Sequence, residues 1–317
     1  MAEEKLVSSR ETYGKLLVEL GKEYKNLVVL DADLSSSTKT CTFCREFPDR
    51  FINCGVAEQD MIGVAAGLAA SGKIVFASTF AVFASGRAWD QVRVSVAYPR
   101  LNVKIVATHG GITTGEDGVT HQAMEDIAIM RSLPNLTVIV PADAIETANT
   151  IKALVKTHGP AYVRLNRPKV PLVYESENYG FKIGKALEMT GGKDLTIIAC
   201  GIMVKISMDA AKLLQNEGIS VRVINMHTIK PLDAEMIIKA AKETGAIVTA
   251  EEHSIVGGLG GAVAEVICEN YPVPVVRVGM KDMFAESGKP QELLEKYGMT
   301  AKDVVAAAKL ALSRKGK

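Results

Sequence analysis

A carboxylate at the head of an apolar helix is the first chemical signal in the chain. In the stretch Phe51-Ile-Asn-Cys-Gly-Val-Ala-Glu-Gln-Asp-Met-Ile-Gly-Val-Ala-Ala-Gly-Leu-Ala-Ala-Ser71, every residue from Met61 to Ala70 is apolar or glycine. Ala and Gly dominate, which predicts a buried helix packed closely on several sides. Glu58 stands at its N-terminal end, beside Gln59 and Asp60. A carboxylate buried without a partner costs several kcal/mol, so Glu58 needs an ion partner or a task. Acids in a first helical turn also gain about 0.3–1 kcal/mol from the dipole, and that reading suits Asp60.

The second signal is His109-Gly-Gly-Ile-Thr-Thr-Gly-Glu-Asp-Gly-Val-Thr-His-Gln122, a polar stretch between a strand and a helix. Its glycines let the backbone approach a ligand or take positive φ. Its histidines and acids can hold hydroxyls and phosphates. The alternative is a glycine-rich turn with an Asx cap. His109 and His121 are too far apart for a single-helix metal pair, and no third ligand is evident. Arg10, Arg164 and Arg167 are candidates for anion contacts, since a guanidinium grips phosphate with two parallel hydrogen bonds. Gly257-Gly-Leu-Gly-Gly261 could cradle a phosphate before a helix, but it lacks Rossmann spacing and equally serves a tight turn. Glu251-Glu-His253 precedes it at a strand end, as an interfacial or structural group. His158 and His227 read as ordinary loop residues.

The elements that must position these groups alternate in type. Residues 8–25 read as an amphipathic helix, 27–30 as a short buried strand, and 31–38 as a polar run of loop formers. The Glu58 helix follows. Then come a strand at 73–79, a helix at 80–97, a strand at 103–108, a helix at 124–132, a strand at 136–140, a helix at 143–156 capped by Asp143, and a strand at 161–165. Alternation of this kind predicts a doubly wound α/β domain with a mostly parallel sheet, binding ligands at the carboxyl ends of its strands. The rhythm breaks after Pro168. A second alternating set begins at Asp194, with strands at 195–200, 220–225, 246–251 and 275–278. Helices are expected at 205–215, 233–244, 260–269, 290–297 and 301–312. The expected division is a first domain over 1–170, a linker over 171–192 and a second domain over 193–317.

The totals bound the class. A chain of 317 residues with 48% hydrophobic and 23% charged residues fits a soluble two-domain globular protein. A net charge of +1 leaves no electrostatic footprint for nucleic acid or a membrane surface. The start Met-Ala-Glu-Glu-Lys lacks a signal peptide's apolar run, and no run is long enough to span a bilayer. Five scattered cysteines suit free thiols in a reducing compartment, so a cytoplasmic location is expected. Cys41-Thr-Phe-Cys44 has zinc or redox spacing, but no second such pair follows.

Together, Val56-Ala-Glu-Gln59, Ser78-Thr-Phe-Ala-Val-Phe83, His109, Gly115-Glu-Asp-Gly-Val-Thr-His-Gln122, Leu133-Pro-Asn135 and Val140-Pro-Ala-Asp143 resemble the pyrimidine-binding domain of transketolase. The second half, with Glu252-His253 and Gly257-Gly-Leu-Gly-Gly261, resembles transketolase's C-terminal domain. The family's Gly-Asp-Gly…Asn motif, which holds the cofactor's diphosphate and a divalent metal, has no counterpart here. The resemblance therefore implies the C-terminal subunit of a split transketolase, inactive alone. An N-terminal diphosphate-binding subunit would hold Mg2+ (or Ca2+), and two copies of each chain would form a heterotetramer around a homodimer.

By the same resemblance the cofactor is thiamine diphosphate, and Glu58 hydrogen-bonds a ring nitrogen of its aminopyrimidine to set the tautomer. Phe83 and Phe80 correspond to the aromatic wall against that ring, and Asp33 to the acid beside it. His109 and His121 correspond to catalytic and substrate-binding histidines. Asp117 matches the residue that reads the hydroxyl next to the sugar carbonyl. Arg10, Ser37 and Arg167 match the clamp on the sugar phosphate. Gly86 stands where many relatives carry a tyrosine. The implied reaction moves a two-carbon ketol unit from a ketose phosphate to an aldose phosphate. Rival readings are the beta subunit of a 2-oxoacid dehydrogenase, a deoxyxylulose-phosphate synthase-like enzyme, or a non-catalytic scaffold that kept the fold.

Overall fold

The central strands Leu27–Asp31, Val103–Thr108 and Leu195–Ala199 are mostly apolar and wholly buried, as strands covered by helices on both faces must be. The computed structural model describes residues 5–316. Residues 1–4, which carry most of the Met-Ala-Glu-Glu-Lys start, lie outside the described residues. The larger sheet has seven strands in the order Thr228–Lys230, Thr137–Ile139, Ala161–Arg164, Val103–Thr108, Ile74–Phe80, Leu27–Asp31 and Phe51–Asn53. All its pairings are parallel except the first, which is antiparallel. The second sheet has five strands in the order Val275–Met280, Ile247–Ser254, Leu195–Ala199, Val221–Asn225 and Leu187–Thr190. Its last pair is antiparallel. The α/β architecture with mostly parallel sheets is as the alternation predicts.

Three details depart from the sequence reading, and each has a nonlocal cause. Thr228–Lys230 lies in the second half of the chain, yet it pairs with Thr137–Ile139 and completes the rim of the first sheet. The helix expected over 80–97 is broken: Phe80 still belongs to the strand, and Ala81–Gly86, Trp89–Gln91 and a π-helical Val92–Ala97 follow. The break lets Arg87 turn back toward Glu58. The helix Glu58–Ala70 is covered on one side only. Met61, Ile62, Ala65, Ala66 and Ala69 are buried against the sheet, while Gly63, Gly67 and Ala70 are exposed. A Cβ added at Gly63 or Gly67 would meet nothing within 4 Å.

The polar run after Leu27–Asp31 is more ordered than expected. Asp31 is buried and accepts from the Leu34 amide at 2.6 Å and from the Thr38 and Thr40 hydroxyls at 2.7 and 2.8 Å. These bonds fold Ser35–Thr38 and Cys41–Glu46 into short helices beside the sheet. His227 is buried rather than an ordinary loop residue, and its ring stacks on Phe181 at 4.5 Å. No helix among the described residues is long and apolar enough to cross a membrane.

Candidate active site

Glu58 opens its helix at the lip of a hollow of about 700 Å³ lined by Val56, Ala57, Gln59, Asp60 and Arg87. Its carboxylate is 3% exposed and accepts from Arg87 Nη1 through both oxygens, at 3.0 and 3.2 Å. The side chain of Arg87 is 50% exposed, so the cation that satisfies the buried acid stays open to solvent. Its guanidinium also lies 4.0 Å above the Phe83 ring. Arg87 was not among the residues singled out from the sequence. The clue was there: it sits four residues after Phe83, one helical turn on, where a cation can cover an aromatic face.

The aromatic wall and the histidine loop meet directly. Phe83 is edge-on to His121 at 5.3 Å, and Phe80 stacks on His109 with ring centroids 3.7 Å apart. Phe80 also lies 6.0 Å from His121 and 5.8 Å from Phe83. Phe80 is itself buried, so its faces serve the histidine more than any open wall. His109 is held at a left-handed φ of 59°, with Nδ1 2.9 Å from the Thr108 hydroxyl. Burial first, and then the charges of Arg10, Arg167 and His121, push its pKa down to about 3. The imidazole is therefore neutral near pH 7, able to donate one hydrogen bond and accept another.

Two arginines lie near it. Arg10 Nη1 donates to the Ser37 carbonyl at 2.7 Å and Nη2 to the Arg167 carbonyl at 2.8 Å. Arg10 Nε is buried with no hydrogen-bond partner among the described residues. Burial first, and the neighbouring Arg167 second, lower the pKa of Arg10. Arg167 reaches Glu116 at 2.5 Å and the Thr114 carbonyl at 3.0 Å, and its Nε is 3.8 Å from Asp117. Two guanidiniums this close repel, and an anion between them relieves the repulsion.

Other expected positions fall outside this run of contacts. Asp33 is exposed, at a φ of 63°, and accepts from Asn53 Nδ2 at 3.0 Å; it touches neither Glu58 nor the aromatic rings. Arg164 is no anion site: it is buried, paired with Asp126 at 3.1 Å, and donates to the carbonyls of Ala123 and Glu252. The glycine cluster 257–261 is no phosphate cradle either. The buried Glu251 carboxylate already accepts the Leu259 and Gly260 amides at 2.6 and 2.8 Å. Cys41 and Cys44 are free thiols. No group of three or more His, Cys, Asp or Glu among the described residues could hold a metal ion.

With this geometry in hand, the comparisons decide the family. Residues 5–173 match the model of the transketolase pyrimidine-binding domain, and residues 184–304 match that of the transketolase C-terminal domain. The chain belongs to the transketolase family. It is 55% identical to a putative transketolase C-terminal section of Methanocaldococcus jannaschii, over 93% of each chain. It is 47% identical to the 6-deoxy-6-sulfo-D-fructose transketolase subunit of a Clostridium species, over 96% of this chain and 95% of the relative. Among solved structures it is similar to a split-gene transketolase described as an inactive β4 tetramer. That match has a TM-score of 0.91 and 56% identity, over 98% of this chain and 99% of the other.

Proposed function

We propose that the chain is the C-terminal subunit of a thiamine diphosphate-dependent transketolase, completed by a separate diphosphate-binding chain. One observation carries this reading. Contacts run from Glu58 through Arg87 and Phe83 to His121, Phe80 and His109, and Thr114 joins the His109 carbonyl to Arg167, whose own carbonyl accepts from Arg10. That run spans the requirements of a ketol transfer: a buried acid at one end, two imidazoles in the middle, and cations at the other end.

Thiamine diphosphate, when bound, supplies the carbon nucleophile and carries the two-carbon unit. The residues present fit its pyrimidine half. The Glu58 oxygens, now on Arg87, would accept from a ring nitrogen, with Phe83 against the ring face. Asp33 would stand farther out as a secondary contact. His109 and His121 would hold sugar oxygens, and Asp117 the hydroxyl beside the carbonyl. Arg10 and Arg167, with Ser37 as backbone support, would grip the anionic end of the sugar. Two guanidiniums suit a phosphate or a sulfonate alike, so the donor is assigned only as a ketose with an anionic terminus. The relative named for a sulfonated sugar is compatible with that breadth. Magnesium or calcium would be held by the partner chain. The bare face at Gly63, Gly67 and Ala70 suits a second copy of this chain within a heterotetramer.

The test is reconstitution of the purified chain with its diphosphate-binding partner, thiamine diphosphate and magnesium. Two-carbon transfer from xylulose 5-phosphate to ribose 5-phosphate is expected. Turnover of pyruvate with no sugar activity would point instead to a 2-oxoacid dehydrogenase beta subunit or a synthase. Light scattering should give two copies of each chain.

A further inference from the structure

The sugar-facing loop is held from behind by the other half of the chain. Glu252 lies within the strand Ile247–Ser254, only 4% exposed, and its Oε1 accepts the Thr113 amide at 2.6 Å. The fit is close: a Cβ added at Gly111, whose φ is +84°, would lie 2.3 Å from the Glu252 carboxyl carbon. The Glu252 carbonyl accepts from Arg164 Nη2 at 2.7 Å, and the same nitrogen donates to the Ala123 carbonyl at 2.9 Å. Gly111 N in turn donates to Ala123 O at 2.9 Å, closing the loop on itself. One residue of the second domain thus touches the loop's first turn and, through Arg164, its last.

The next residue along passes this restraint to the site. Thr114 follows Thr113; its hydroxyl donates to the His109 carbonyl at 2.8 Å, and its own carbonyl accepts from Arg167 at 3.0 Å. His109 needs such support, because a non-glycine residue with positive φ persists only where its surroundings over-determine it. A buried carboxylate is also a costly filler unless its hydrogen bonds and a nearby cation offset the desolvation. An apolar residue would serve packing alone at lower cost.

We propose that Glu252 is a positioning residue for ketol transfer. Its carboxylate, contributed by the C-terminal domain, sets the Thr113–Thr114 backbone and thereby the placement of His109, Arg167 and Asp117. The consequence for catalysis rests on the transketolase reading above, whereas the effect on loop order does not.

Hydrogen–deuterium exchange on the full chain tests the first part. Glu252→Ala should speed amide exchange across 110–122 by ~10-fold, the loss expected for one buried charge-assisted bond, with the strand Leu195–Ala199 and the helix Glu58–Ala70 within twofold of wild type. Glu252→Asp retracts the carboxyl by one carbon but keeps charge and burial. It should act in the same direction, and it stands in should the alanine variant fail to fold. In the reconstituted holoenzyme either variant should raise KM for the ketose donor by ~10-fold, with the apparent thiamine diphosphate affinity within twofold. Glu252→Gln, which keeps an acceptor for the Thr113 amide, should retain most of the loop protection. Unchanged loop exchange, or equal acceleration everywhere, would overturn the proposal, and so would an unchanged donor KM in an active enzyme. An inactive wild-type holoenzyme would sink the transferase reading alone, and the exchange data would still decide the role of Glu252 in the loop.

Discussion

Two buried glutamates stand in the first turns of two 13-residue helices, and they are satisfied in opposite ways. Glu58 meets a single cation, Arg87, which is half in solvent at the edge of a hollow. Glu146 is sealed into the seam between the domains by Asn225 Nδ2, the Tyr174 and Tyr179 hydroxyls and the Ala142 amide. No cation reaches it in that set, and burial above all raises its pKa to about 7. An acid held by one half-exposed charge can exchange that partner for a ligand. An acid held by four fixed neutral donors, drawn from the helix cap, the connecting segment and the second sheet, is a joint. Burial alone therefore does not separate a chemical group from a structural one; the exposure of its partner does.

Exchanging the readouts of the two acids would break that contrast. The largest effect is expected from Glu58→Gln, which should lower turnover of the reconstituted enzyme by ~10²–10⁴-fold while leaving assembly and melting temperature unchanged. Retained activity would remove the acid–base role. Asp117→Ala should act on the sugar and not on the cofactor, raising the donor KM by ~10–100-fold in steady-state assays. Glu146→Ala should do the reverse of Glu58→Gln. It should cost about 1–3 kcal/mol in urea unfolding, because Asn225 and two tyrosines lose their acceptor, and kcat should hold.

A smaller effect sharpens the comparison through pH. Glu146 binds its proton more tightly in the folded chain, at about 7 against an ordinary 4.5. Its contribution to stability is then fully present below pH 4.5 and lost as the pH rises through 7. Relative to Glu146→Gln, the wild type should gain stability as the pH falls from 8 to 5; a difference independent of pH would refute the sealed-joint account. Cys41→Ser and Cys44→Ser, which touch neither acid, should change stability by no more than about 0.5 kcal/mol.

The features legible in the sequence were those with local signals. Period and composition gave the alternating strands and helices, and the His109–Gln122 loop announced itself through glycines and polar residues in one run. What escaped had partners far along the chain. The Glu58–Arg87 pair spans 29 residues, the Glu146–Asn225 bond 79 and the Glu252–Thr113 bond 139. Nothing in a window of 15 residues can report those. Phe80 was legible as aromatic, but its position behind His109 depends on where the strand ends. The Glu58 helix reads as buried on several sides because every residue from Met61 to Ala70 is apolar or glycine. Its open glycine side is a property of how the rest of the chain leaves it uncovered.

The swapped-in strand Thr228–Lys230 has a practical corollary. Any fragment stopping in the connector would strip the ladder's outermost rung, leaving the Thr137–Ile139 amides and carbonyls unzipped on that side. Such a truncated product should stick to copies of itself instead of behaving as a minimal folded module, so a fragment of the first half needs its strand from the second to stay unassociated.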